Sequence, residues 1–464
     1  MNSPATSPLP DDATPGRPGQ TVSRRGFLGL TALAGAGLSL NPEAQAAGPT
    51  AAAARLFGFR VAPMERVRIG FVGVGNRGSS LLADLLTLEG VEIKAVCDTD
   101  PARVEAARQA VRKRGRPEPT AYGPGATAYT ALCRRDDVDL VYIATPWDSH
   151  TPIALEAMRQ GRHVAIEVPA ALTLAECWQL VDTAERTRRH CVMLENCCYG
   201  ETELLVLRLA RAGVLGELTH AEAGYLHDVR DYLLQDLPGA AWRREFVARW
   251  DGNLYPTHGL GPVSQYLGIH AGDRFERLVS MSSLERGLSR KREALPAGKW
   301  RPKERFVCGD INTSLLRTAR GRTVMVQYSL AGARPYSRIN LLAGTSGTFC
   351  DYPPRLHLDG QPEGWVTDLR PYHESHGHPL WRRITEAERA AGHGGMDHVM
   401  NARLIQCLRE GWPLDLTVYD AAVWSSLVPL SIASVKRGNA PVTVPDFTRG
   451  AWREAPPSAL ATMA

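Results

Sequence analysis

The stretch Val67–Leu86, VRIGFVGVGNRGSSLLADLL, leaves few folds open to this chain. An apolar strand over Val67–Val72 runs into a turn carrying Gly73, Gly75 and Gly78 in the spacing G-x-G-x-x-G, and a helix follows from about Arg77. The first glycine permits the tight turn, the second lets backbone approach a pyrophosphate, and the third lets the helix pack on the strand. The helix N-terminus adds free N–H groups and a positive dipole end. Such a turn is a weak signal alone, and it gains weight from its place between an apolar run and an amphipathic helix. A second strand, Val91–Cys97, ends at Asp98, about twenty residues past the turn, where a ribose-binding carboxylate belongs. That carboxylate repels a 2′-phosphate, so NAD is favoured over NADP.

The same rhythm continues downstream. Pro101–Arg114 reads as a charged helix and Arg116–Gly125 as a loop rich in Pro and Gly. Val138–Ala144 is an apolar, β-branched run typical of a buried parallel strand. It leads into the loop Thr145–His150, at a strand's C-terminal end, where open α/β sheets bind ligands. Ile153–Gln160 reads as a helix, and His163–Ile166 as a strand ending at Glu167-Val168-Pro169. The helix Thr173–Arg188 opens with Thr173 and Glu176 in a capping-box pattern. Cys191–Glu195 is a sixth strand, ending at Asn196. This alternation predicts an α/β fold with an N-terminal doubly wound Rossmann domain over 65–198.

From Tyr199 the pattern changes. A helix, Glu201–Ala212, precedes strand-like segments at Leu218–Leu226, Phe275–Leu284, Asn312–Ala319, Thr323–Leu330 and Arg338–Leu342. Consecutive strands with no helix between them predict a C-terminal α+β domain, 199–446, with a mostly antiparallel open sheet. The helices Met396–Arg409 and Leu416–Lys436 close it, the second able to fold back on the first domain, and 447–464 is a tail. Such an open sheet face often buries itself against a second copy, which leaves a homo-oligomer open.

A chain of 464 residues has room for both domains. Its net charge of +5 is spread without a basic stripe, so nucleic acid is not implied. The nine cysteines have no metal-ligand spacing, and Cys197 and Cys198 are adjacent; the expectation is reduced thiols and no metal. At the N-terminus, Ser23-Arg24-Arg25 precedes an apolar run, Phe27–Leu40, and Ala44-Gln45-Ala46 fits a cleavage site. Residues 1–46 thus resemble a twin-arginine export signal, followed by a linker over 47–64. The apolar run is too short for a comfortable membrane span, and an uncleaved interfacial anchor is the alternative. The expected location is periplasmic or extracellular, with the twin-arginine machinery as the export partner.

The order VRIGFVGVGNRG, AVCDTD, VYIATPWDSHTPIALEAMRQGRHVAIEVP resembles the Gfo/Idh/MocA oxidoreductase-like family over roughly residues 65–440. Its usual members carry Glu-Lys-Pro after the fifth strand, and the lysine helps to move a proton during alcohol oxidation. Here Val168 holds that place, and valine cannot hold a proton. Seven further stretches, MLENCCYGE (193–201), AGYLHDVR (223–230), AWRREF (241–246), GNLYPTHGLGPV (252–263), NTSLLRT (312–318), RPYSRI (334–339) and HGGMDH (393–398), look like glycoside hydrolase family 109. This family includes NAD-dependent α-N-acetylgalactosaminidases. The resemblance implies NAD contacts at Asn76, Arg77, Asp98, Trp147, Asp148, Ser149, His150, Glu167, Val168 and Asn196, beside Gly73, Gly75 and Gly78. It implies substrate contacts at Tyr225, Arg243, Tyr255, Pro256, Thr257, His258 and Tyr336. The stretch from Tyr225 to Trp242 is shorter than the family's usual loop, so the arginine contact falls on Arg243 or on adjacent Arg244.

The mechanism the resemblance implies is oxidation at C3 of a sugar, loss of the C2 proton, expulsion of the C1 group, addition of water and re-reduction. Such a reaction needs a proton acceptor and donors to the developing enolate. His258 suits the base, and Tyr255, three residues earlier, can relay a proton or polarise the C3 oxygen. His227, His376, His378 and His393 match no standard metal spacing and read as surface loops, with His393 near the pocket. Two other readings stay open. One is an exported sugar oxidoreductase with net redox turnover, and the other is a carbohydrate- or dinucleotide-binding protein without catalysis.

Overall fold

A computed structural model describes residues 56–463. The segment read as an export signal, and the first half of the linker after it (47–55), lie outside the described residues. Strands β1 (Val67–Val72), β2 (Val91–Cys97), β3 (Thr120–Tyr122), β4 (Leu140–Ile143), β5 (His163–Ile166) and β6 (Cys191–Met193) form a parallel sheet ordered β3-β2-β1-β4-β5-β6. The order reverses between β1 and β4, which opens a crevice at their C-terminal ends. Every residue of β4 and β5 is buried, as strands covered on both faces require.

The second sheet holds β7 (Leu218–Leu226), β8 (Phe275–Ser282), β9 (Asn312–Thr318), β10 (Thr323–Ser329), β11 (Leu341–Gly344), β12 (Gly347–Cys350), β13 (Arg355–Leu358) and β14 (Val442–Thr443). Its order is β13-β12-β11-β7-β10-β9-β8-β14, and every neighbouring pair is antiparallel except β7 with β10. The expectation of strands with no helix between them is corrected here. Helices Pro238–Arg249 and Thr257–Leu267 separate β7 from β8, and the crossover starts β8 in the direction of β7. The second of these, THGLGPVSQYL, carries two glycines and a proline, a poor helix by propensity. Packing overrides propensity: a Cβ on Gly259 would lie 2.4 Å from the Gly224 backbone nitrogen on β7, and one on Gly261 would lie 2.8 Å from Cγ of Glu195.

Two strand boundaries also move. The expected strand at Arg338 begins instead at Leu341, because Ile339 and Asn340 have φ of 64° and 52°, outside extended geometry. Strand β6 stops at Met193, and Glu195 caps a 3-10 turn over Asn196–Tyr199 by accepting the Cys197 N–H at 3.2 Å.

The long helix Val418–Lys436 ties the two sheets together. Its Ser425 hydroxyl accepts the Ala170 N–H at 3.0 Å, and its Ser434 hydroxyl accepts the Ser280 N–H of β8 at 2.9 Å. It is long and apolar enough to cross a membrane, but most of it is buried between the sheets, as befits a core helix. The tail is docked rather than loose. Phe447 is fully buried against Trp178, and Arg449 pairs with Glu185 at 2.8 Å. All nine cysteines are free and buried.

Three buried imidazoles make the fold acid-sensitive. Burial holds His163 and His378 down to about 4 and His190 to about 3. Each is neutral in the folded chain, and His163 Nδ1 accepts the His190 N–H at 3.1 Å. Below about pH 6.5 the unfolded chain takes up protons that the folded chain refuses, so stability present above that pH is lost as it falls toward 4. The unfolding free energy from denaturant titration is expected to drop between pH 7.5 and pH 5 by about a few kcal/mol, the order of magnitude set by such shifts, with a lower midpoint. Midpoints flat over that range would contradict neutral burial of these rings.

Candidate functional site

The glycine turn meets the requirements of a dinucleotide cradle. Gly73 has φ of 88°, and a Cβ there would lie 2.7 Å from the Ala144 backbone. A Cβ on Gly78 would fall 1.9 Å from the Gly73 carbonyl oxygen, so the third glycine is set by helix-on-strand contact. The helix Asn76–Leu85 starts at Gly75 without a side-chain cap, which leaves its first N–H groups for a phosphate. Asp98 holds the turn from the next strand, its Oδ2 accepting the Val74 N–H at 2.8 Å and its Oδ1 the Asp100 N–H at 3.0 Å.

The other residues expected at the cofactor divide into two groups. Trp147, Asp148 and Ser149 open a helix at the C-terminal end of β4, where Trp147 is buried and Asp148 exposed. His150 lies behind them with both ring nitrogens 2.8 Å from carbonyl oxygens, of Pro169 and Thr145. It is buried, and with both ring nitrogens on backbone carbonyls it braces the loop. Val168 is buried as well and brings no proton-carrying group.

Arg77, Glu167 and Asn196 meet in one network with a residue the sequence reading missed, Asp397. The Arg77 guanidinium donates to Glu167 Oε1 at 2.7 Å and to Asp397 at 2.5 and 2.9 Å. Asn196 Nδ2 donates to Asp397 Oδ1 at 2.8 Å, and His393 Nδ1 lies 2.8 Å from Asp397 Oδ2. Burial works against the Arg77 charge, but Glu167 and Asp397 hold it well above the ordinary value. Burial likewise opposes the Asp397 charge, and the hydrogen bonds from His393 and Arg77 outweigh it, holding the carboxyl well below the usual range. With its side chain engaged, Arg77 has its backbone N–H left for a phosphate.

Beside this crevice the second domain builds an aromatic chamber. Tyr255 stacks on Trp147 with ring centroids 5.5 Å apart, which joins the loop after β4 to the expected substrate residues. The His258 ring meets Tyr255 edge-on at 4.9 Å and Tyr225 at 5.5 Å, and Tyr225 meets Tyr336 at 5.9 Å. Pro256 and Thr257 are buried at the head of the helix that carries His258. Burial pushes the Tyr255 phenol well above 10, with Glu167 and Tyr225 adding to the shift, so it remains an O–H donor. His258 Nδ1 sits 2.7 Å from Oε1 of Glu195, a fully buried carboxylate at the end of β6.

Curated relatives align along almost the whole length. A glycosyl hydrolase family 109 protein of Solibacter usitatus (strain Ellin6076) is 48% identical over 440 residues, 94% of this chain and 99% of that protein. The chain belongs to glycoside hydrolase family 109. The family's C-terminal domain profile (Glycosyl hydrolase 109, C-terminal domain) matches residues 199–454, and the profile of the oxidoreductase family's NAD-binding Rossmann fold matches 67–195. A family 109 protein of Shewanella baltica (strain OS155 / ATCC BAA-1091) is 47% identical over 451 residues, covering 94% of this chain and 98% of its own. The fold is that of levoglucosan dehydrogenase in complex with NADH, at a TM-score of 0.61 and 18% identity over 82% of this chain and all of that one. An inositol dehydrogenase homolog from Azotobacter vinelandii, complexed with NADH and myo-inositol, gives a TM-score of 0.60 at 20% identity over 82% and 98%. This family 109 chain is therefore a glycosidase on an NAD-binding oxidoreductase fold, with NAD as its cofactor.

The structure separates the two arginines left open by the family 109 pattern. The Arg243 guanidinium carbon lies 4.7 Å from the Trp242 ring and 5.8 Å from Trp147, at the chamber. Arg244 turns the other way, is buried, and donates to the Leu233 and Gln235 carbonyls at 2.8 and 2.7 Å. Arg243→Ala is expected to raise KM about tenfold and leave stability unchanged. Arg244→Ala strands two buried carbonyls and is expected to cost about 2 kcal/mol of stability. Steady-state kinetics and denaturant unfolding of both variants check this, and the reverse pattern would exchange their roles.

His227 also leaves the class of surface loops. It is half-buried, with Nδ1 3.0 Å from the Tyr225 hydroxyl and its ring 5.1 Å from Tyr336. His378 is buried too, its Nε2 donating to the Leu460 carbonyl at 3.1 Å. Of the residues missed, Asp397 stood in HGGMDH, four positions after the His393 expected near the pocket, and Glu195 stood beside Asn196 at the C-terminal edge of the sheet. Edge position was the available signal for Glu195.

Proposed function

We propose that this protein hydrolyses α-N-acetylgalactosaminyl or related α-linked glycosides by transient oxidation, elimination, hydration and re-reduction, with no net redox change. The observation that carries the reading is the meeting of His258, Tyr255 and Tyr225 with Trp147 at the mouth of the NAD crevice. The glycine turn, Asp98 and the Arg77 network would hold NAD, which when bound would supply a hydride acceptor, and later a hydride donor, for C3 of the sugar. Tyr255 relays the C3 hydroxyl proton toward His258 and solvent as the hydride leaves, returns one on re-reduction, and between these steps, kept protonated by burial, donates to the C3 oxygen and stabilises the enolate. His258 takes the C2 proton, which the neighbouring C3 ketone has made acidic. The C1–O bond then breaks, water adds at C1, and a proton returns to C2. Arg243 and Tyr336 hold the sugar's hydroxyl groups at the chamber rim.

Two features support this reading over net oxidation of a sugar. Val168 brings no proton shuttle to the place where oxidoreductases of this fold carry a lysine. Export through the twin-arginine route, which we also propose, would take the enzyme away from any pool able to reoxidise NADH. A cycle that restores its own cofactor needs no such pool. The test uses the native protein. Denaturation is expected to release NAD, and the folded protein to liberate p-nitrophenol from p-nitrophenyl α-N-acetylgalactosaminide with no acceptor added. Turnover only with a second sugar, or with steady accumulation of nicotinamide absorbance, would assign a sugar oxidoreductase instead. A panel of α- and β-nitrophenyl glycosides then fixes sugar and anomer.

A further inference from the structure

We propose that Glu195 is a positioning residue that holds His258 in the tautomer with its proton on Nδ1, so that the Nε2 lone pair faces the aromatic chamber. The inference deepens the proposed function and rests on His258 being its base. The contact is short, with Nδ1 2.7 Å from Oε1, and the carboxylate is fully buried. A carboxylate only accepts hydrogen bonds, and a neutral imidazole carries one N–H. The pair therefore puts the proton on Nδ1. The ring lies beside Tyr225 and Tyr255, whose centroids are 5.5 and 4.9 Å away, and Nδ1 is taken by Glu195, which leaves Nε2 as the nitrogen open to a substrate.

The surrounding backbone keeps the carboxylate in place. Glu195 caps the turn after β6 through the Cys197 N–H at 3.2 Å, which ties it to the parallel sheet. The helix carrying His258 passes so near that a Cβ on Gly261 would lie 2.8 Å from Glu195 Cγ. Glycine at 261 is thus what lets sheet and helix bring the two side chains into contact. Burial raises the Glu195 carboxyl, but His258, Thr257 and the Cys197 N–H outweigh it and keep the group below its ordinary range. An ionised partner also stabilises the imidazolium that forms when Nε2 takes a proton.

Cys197 completes a triangle of donor atoms within 4.8 Å of one another, which raises a cation as the competing occupant. A cation would need the Nδ1 lone pair and a thiolate. Burial pushes the Cys197 thiol well above its ordinary value, and a 2.7 Å contact is hydrogen-bond length.

Glu195→Gln tests the proposal on the full NAD-loaded enzyme. Glutamine keeps the size of the side chain and removes its charge: Oε1 takes both the Cys197 and the His258 contact, so an amide oxygen in that place still accepts both N–H groups but no longer stabilises the imidazolium. The expected result is a fall in kcat of about 10²- to 10³-fold, with KM and NAD content unchanged. Glu195→Asp is expected to recover part of kcat. Nitrogen-15 spectra of histidine-labelled protein should show His258 protonated on Nδ1 in the native chain and in Glu195→Gln, and shared between both ring nitrogens in Glu195→Leu, which offers no acceptor. A kcat within threefold of native, or a native ring protonated on Nε2, would overturn the assignment. So would activity lost to a chelator and restored by zinc. The native tautomer is read without substrate, so inactivity on every glycoside would remove the proposed function and leave the pairing standing.

Discussion

His258→Ala lowers kcat on a nitrophenyl α-glycoside by about 10³-fold, the scale on which a positioned general base contributes. Its NAD content stays at the native level, because the ring contacts Glu195, Tyr225 and Tyr255 and none of the glycine-turn residues. The substitution strips a fully buried carboxylate of its partner, which itself costs stability. His258→Gln answers that objection, since its amide can still donate to Glu195 while offering no base. Both variants are expected to be inactive, with the glutamine variant the more stable of the two. Steady-state rates, released NAD and thermal unfolding of the pair check the prediction. A His258→Gln enzyme within threefold of native kcat would remove His258 from the reaction.

Gly78→Ala has the largest expected effect on the cofactor. Its Cβ would lie 1.9 Å from the Gly73 carbonyl oxygen and 2.9 Å from the carbonyl carbon. The obstacle is backbone, so the helix Asn76–Leu85 must move off β1 and carry its N-terminus away from the turn. The expected cost is about 3 kcal/mol of stability, the upper part of the overpacking range, with loss of most bound NAD. Gly75→Ala is the control. Its Cβ meets the end of a flexible side chain, Arg103 Nη1 at 3.2 Å, so the free fold tolerates it. That variant is expected to unfold like the native chain and yet bind NAD weakly, because the new methyl group stands where backbone approaches pyrophosphate. Unfolding midpoints and NAD released per chain measure both. Full NAD content in Gly78→Ala would contradict this account of the turn.

The parallel half of the molecule could be read from the chain because its signals are local. Glycines at 73, 75 and 78, the apolar run into Thr145 and the capping box at Thr173 each act within a few residues. The second half resisted where tertiary contact overrides local preference. Thr257–Leu267 is helical despite Gly259, Gly261 and Pro262, since only glycines let it close on β7 and on Glu195. The parallel pairing of β7 with β10 spans about a hundred residues, from Tyr225 to Tyr328, and leaves no local trace. The chamber was legible because YPTH and the spaced tyrosines carry their own pattern. Asp397 was not, because its meaning comes from Arg77, 320 positions away. Glu195 escaped for the same reason, its partner lying 63 positions on.

The central claim is that a sugar carbon with no acidity of its own loses its proton during hydrolysis. Turnover of an α-linked nitrophenyl glycoside in heavy water, followed by proton NMR of the released sugar, measures this directly. The account predicts deuterium at C2 of the product and none at C4 or C5. Full hydrolysis with C2 still carrying only protium would contradict it.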